Sequence, residues 1–120
     1  MANLEALRAL GVDPEEGVAY CAGDPEFYME MLGEFVSGAP AASAELKRLF
    51  DRRDWAGYGI RAHSLKSTSR MIGAASLSEA ARALEMAAKE GRPEEILSKH
   101  GALIDEYAQL VSGIRGISIG

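Results

Sequence analysis

Apolar residues recur at intervals of three and four along the whole chain, and nowhere do they alternate with polar ones as a half-buried strand requires. That periodicity admits helices and little else, and the helix starts are marked by their chemistry. Asp13-Pro14-Glu15-Glu16 supplies an N-cap, a proline at the first helical position and a glutamate three past the cap, a capping box. Asp24-Pro25-Glu26 repeats the cap and proline after the Ala22-Gly23 break. Ser76-Leu77-Ser78-Glu79 reads as a further capping box, just after Gly73 closes the helix before it. Gly91-Arg92-Pro93-Glu94 ends one helix and opens the next.

These signals predict short helices near 3–10 and 14–22 and longer ones near 25–52, 55–73, 77–90 and 94–114. The third contains Ser37-Gly38-Ala39-Pro40, which an ideal helix interior does not tolerate. Yet Tyr28, Met31, Leu32, Phe35 and Val36 line up with Ala42, Leu46, Leu49 and Phe50 beyond the proline, so one kinked helix is expected, with a break in two as the alternative. Joints this short demand antiparallel neighbours. The expected fold is all-α, an antiparallel up-down-up-down four-helix bundle with short N-terminal capping helices, as one domain over 1–120. The tail from Gly113 is expected to fray.

Composition removes several classes of function. Thirteen basic against eighteen acidic residues give a net charge of −5, which argues against nucleic acid or an anionic membrane as partner. The lone Cys21 excludes a disulfide framework and a cysteine-based zinc site. The first twenty residues are too charged for a signal peptide, and no apolar run approaches the roughly 18 residues of a spanning helix. A free-standing cytoplasmic protein is the expectation. There is no GxxxxGK[ST] loop to hold a nucleotide, and neither histidine follows a glutamate by three as inward-facing di-metal bundles require. No metal and no cofactor is therefore expected.

The two histidines point in opposite directions. At about 100° per residue and with Leu65 as reference, Tyr58, Ala62, Ser69 and Ile72 fall within about 60°, the buried stripe of the helix 55–73. His63 falls about 160° away, in water, with Ala56, Gly59, Ser67 and Ala74 as small neighbours on the same outer face. Lys66 and Arg70 flank it, and Ile60 and Met71 lie at the margin, apolar where a solvated surface does not need them. An imidazole, ordinarily titrating near about 6.5, is largely neutral at pH 7 and attacks without a strong base. Small neighbours leave the ring clear for another protein's active site to close over it. The two cations can meet the charge of an incoming phosphoryl group, and the apolar margin offers a docking rim. The plain alternative is a solvated histidine with solvated cations beside it. His100 falls in line with Ile96, Leu103, Tyr107 and Leu110 on the apolar stripe of the last helix, where a histidine bonds a neighbouring helix rather than reacting.

Residues 62–74, Ala-His-Ser-Leu-Lys-Ser-Thr-Ser-Arg-Met-Ile-Gly-Ala, resemble the signature of histidine-containing phosphotransfer (HPt) domains, approximately AH-[ST]-LKG-[SA]-[SA]-xx-[IV]-GA. The likeness extends to Leu77–Gly91, with Leu84-Glu85, and to a lead-in at Gly11-Val12-Asp13, Asp24–Tyr28 and Phe35, about residues 10 to 112 in all. It implies a phosphocarrier, not an enzyme. His63 would accept a phosphoryl group on Nε2 from the phospho-aspartate of a response-regulator receiver domain and pass it to another, with Lys66 stabilising the phosphate. Receivers and hybrid histidine kinases are the implied partners, and the receiver is expected to bring the Mg²⁺ and the acidic pocket. The chain departs from the signature at Ser67, usually glycine, whose hydroxyl can bond phosphate. A non-catalytic receiver-binding module and a fragment of a chemotaxis-type histidine kinase are the competing readings.

Overall fold

The computed structural model describes residues 4–117, all of whose regular structure is helical. Two short helices, α1 (Leu4–Ala9) and α2 (Pro14–Tyr20), precede four longer ones: α3 (Pro25–Asp51), α4 (Trp55–Met71), α5 (Ala75–Lys89) and α6 (Pro93–Arg115). The all-helical reading of the sequence holds. α3 runs unbroken through Pro40 rather than splitting in two.

The caps work largely as their chemistry dictates. Asp13 accepts from the Glu16 backbone N–H at 3.0 Å and Asp24 from that of Glu26 at 3.0 Å, each satisfying a donor that the first helical turn leaves unpaired. The Asp13 N–H goes to the Gly73 carbonyl at 2.9 Å instead of back to Glu16, so the capping box is only half made. The box expected at Ser76 does not form. α5 starts earlier, from Ala74, with no side-chain cap, and the Ser76 hydroxyl donates to Glu106 of α6 at 2.7 Å. At its far end α6 continues through Gly113 and buried Ile114 to Arg115, so fraying does not begin at Gly113; residues 118–120 lie outside the described ones.

The four long helices surround one core, α3 against α4 and α6, and α5 against α4 and α6. Phe50 stacks on His100 while Phe35, four turns earlier, meets Tyr107, so α3 and α6 run in opposite directions. Leu32, Leu46, Tyr58, Ile72, Leu84, Ile96 and Leu103 are among the fully enclosed side chains. Burying each such side chain contributes about 1.5–3 kcal/mol. α1 and α2 close one end: the Tyr28 hydroxyl donates to the Ile72 carbonyl at 2.8 Å, and Gly17 lies so close that a Cβ there would fall 2.2 Å from the Tyr28 ring. Gly73 turns the chain at φ +84° with Asp13 packed against it, and no other residue fits that contact. The end of α4 is thereby tied to the N-terminal cap.

Candidate functional site

α4 begins at Trp55, with the Asp54 carboxylate accepting from the Gly57 N–H at 2.9 Å. Tyr58, Ala62, Leu65 and Ser69 are buried on one side, with Ile72 just past the helix end. The rotation that buries them sets His63 outward, its side chain 57% exposed.

What the outward ring touches comes from the next helix. Gly59 is buried, not part of an open outer face: a Cβ there would lie 2.9 Å from the Ala88 Cβ, so α5 comes in where α4 has no side chain. That close approach delivers Glu85, only 2% exposed, to His63. Its Oε2 lies 2.7 Å from His63 Nδ1. Lys66 Nζ is 2.8 Å from Oε1 and Lys89 Nζ 3.0 Å from Oε2. Oε1 has no aligned hydrogen bond, so Lys66 acts on it as a neighbouring charge. Burial by itself would raise the Glu85 carboxyl, but Lys66, Lys89 and His63 outweigh it and hold the group down to about 2. The carboxylate is therefore ionised at neutral pH and can only accept. His63 Nδ1 must carry the proton in that bond, which leaves the lone pair of Nε2 facing solvent.

A groove of about 540 Å³ runs between α4 and α5 over this cluster, with Trp55, Ile60, His63, Glu85 and Lys89 among its lining residues. Ile60 is 65% exposed. Ser67 and Arg70 are exposed one and two turns beyond His63. Met71 is half-buried and packs against the core, so it stands less exposed at the rim than its phase predicts. Ala74 is buried too, as the residue from which α5 starts. A second groove of about 480 Å³, between α3 and α4, holds Glu34, Glu45 and Arg61 but neither histidine.

Sequence reasoning missed Glu85 and Lys89 as members of the site. A signal existed: Glu85 is an acid at the edge of the stripe formed by Leu77, Ala81, Leu84 and Ala88, with Lys89 one turn on. His100 lies where its phase predicts, 8% exposed, with Nδ1 2.7 Å from the Tyr58 hydroxyl and its ring stacked on Phe50 at 4.0 Å. Among the described residues no group of His, Cys, Asp and Glu is arranged to hold a metal ion, and no helix is long and apolar enough to cross a membrane.

Comparison with known proteins bears on what such a site does. The family model described as "Hpt domain" matches residues 30–113. The crystal structure of the HPT domain from a sensor hybrid histidine kinase of Shewanella superposes with a TM-score of 0.79 at 18% sequence identity, over 88% of this chain and 92% of that one. None of the curated proteins matches.

Proposed function

The chain belongs to the Hpt domain family, phosphotransfer modules of two-component signalling that carry phosphate rather than act as enzymes, and on that premise we propose that His63 is its phosphoryl acceptor. In this reading residues 1–120 act as one domain, a relay intermediate between response-regulator receivers, including those of hybrid histidine kinases.

The observation that carries the proposal is the 2.7 Å bond between His63 Nδ1 and the buried Glu85 carboxylate. It fixes the ring in one tautomer and leaves Nε2 as a nucleophile. In the transfer, the Nε2 lone pair forms the N–P bond while the P–O bond to the partner's aspartate breaks, the electron pair leaving with the carboxylate. The imidazole becomes cationic as this happens, and Glu85, already ionised, stabilises it without moving. Lys66 is drawn from Glu85 towards the phosphoryl oxygens, and the Ser67 hydroxyl and Arg70 lie along the same face. Transfer to a second receiver is the reverse. Phosphoryl transfer is mainly positioning and charge neutralisation, and a helix face on a packed core supplies the positioning. Ile60 gives the apolar contact beside the ring. Gly59 takes part by admitting α5.

The test is mixing with a phosphorylated receiver and following acid-labile label. Wild type and His100→Gln become labelled and His63→Gln does not; labelling of His63→Gln equal to wild type contradicts the assignment. A pure binding module binds the receiver but never takes up label.

A further inference from the structure

The net charge of −5 conceals a separation of charge along the chain. Residues 1–45 hold nine acids and one base, whereas residues 46–70 hold seven bases and two acids. That second stretch is the end of α3, the turn after it and nearly all of α4.

The turn is the distinctive part. Arg53 adopts φ +55°, which costs a residue with a side chain about 1 kcal/mol or more and which glycine adopts freely. Its guanidinium is tethered: Nη1 donates to the Phe50 carbonyl at 2.9 Å, and the group lies 4.9 Å from the centre of the Phe50 ring and 5.8 Å from that of Trp55. One of five N–H donors is used, which leaves a cation held in place over aromatic faces. Neither Arg52 nor Arg53 has a carboxylate within ion-pair distance among the described residues, and Asp54 beside them is committed to the cap of α4. Trp55 also lines the groove over His63, eight residues or about 12 Å along α4. Trp55 thus connects the tethered Arg53 to the groove that a partner covering His63 would occupy.

We propose that the α3–α4 turn, through Arg52 and Arg53, is the electrostatic docking contact for a carboxylate-bearing rim on the receiver that exchanges phosphate with His63. The inference rests on the phosphotransfer reading and adds to it what selects and steers the partner. A polyanion such as nucleic acid fits less well, because the acidic residues 1–45 would repel it. Steering of this kind raises encounter rates about 10- to 10³-fold, is screened by salt, and leaves the chemical step alone.

The experiment measures transfer from a ³²P-labelled receiver, the fastest donor to wild type, at low and high salt and from limiting to saturating receiver. Arg52→Glu/Arg53→Glu is expected to lower the second-order rate at low salt by about 10²-fold and Arg53→Gly by a smaller factor. The rate at saturating receiver should match wild type, and the differences should shrink at 0.5 M salt, a concentration about threefold above physiological. Arg53→Gly relieves the φ strain, so an unchanged helical circular dichroism signal separates lost docking from lost folding. A double variant within twofold of wild type at every salt, or slowed at saturation, overturns the docking contact while His63-dependent labelling still stands. No labelling of wild type by any receiver overturns the phosphotransfer reading itself, and the docking contact with it. Salt-sensitive self-association that Arg53→Gly abolishes assigns the turn to a second copy, against the proposal.

Discussion

His63 and His100 each make a 2.7 Å bond through Nδ1, and the difference between them lies in what accepts or offers the proton. His63 meets an ionised carboxylate that can only accept, so its proton is pinned to Nδ1 and Nε2 is left open to water. His100 meets the Tyr58 hydroxyl, which can donate or accept, and lies flat against Phe50 with an interplanar angle of 9°. Burial lowers the proton affinity of His100. On the proposed reading one imidazole is a surface nucleophile, whereas the other packs from α6 against Tyr58 of α4 and Phe50 of α3. The residue type decides neither role; the phase of the helix and the partner at Nδ1 do.

Removing the pinning partner should break this contrast most severely. Glu85→Leu leaves the His63 tautomer free and two lysines without their counter-charge, and transfer should slow by roughly 10³-fold. Glu85→Gln, whose amide oxygen can still accept from Nδ1, should lose much less. Rates equal to wild type in both variants would show that Glu85 only neutralises the lysines. Lys66→Ala should slow transfer by roughly 10²-fold, read as single-turnover loss of label from the receiver; an unchanged rate would mark Lys66 as solvated.

The other histidine sharpens the comparison through stability. His100→Ala empties the space beside Phe50 and leaves the Tyr58 hydroxyl buried without its partner, so urea unfolding should show a loss of about 2–4 kcal/mol. Labelling of that variant, measured where it is still folded, should stay within twofold of wild type. Smaller again is the pH effect. The unfolded ring titrates near 6.5 and the folded one lower, so on acidification the unfolded chain takes up the proton first. Stability should therefore fall as pH drops below about 6.5, and His100→Phe should flatten that slope. Glu85 acts in a separate window: its contribution is present above about 4.5 and lost as pH falls towards about 2.

Much of this is legible in the sequence. The 100° phase of α4 put Tyr58, Ala62, Leu65 and Ser69 inside and His63 outside, because one rotation sets every side chain of a rigid helix. The same arithmetic failed at Gly59 and Met71. It divides a helix into core and water, and cannot know that α5 closes over Gly59 or that Met71 packs partly against the core. Ser76 failed for a related reason: its hydroxyl bonds Glu106, which a local capping pattern does not include. Glu85 went unread because an acid at the edge of an apolar stripe looks like a boundary residue until the cations around it are known. Those cations come from two helices, and only Lys89 is on its own.

The most direct test of the central claim is the nitrogen that carries phosphate. In ¹⁵N-labelled protein phosphorylated by a receiver, long-range ¹H–¹⁵N spectra should show the N–P bond at Nε2 of His63, with Nδ1 still protonated and His100 unmodified. Phosphate at Nδ1 of His63, or on His100, would contradict it.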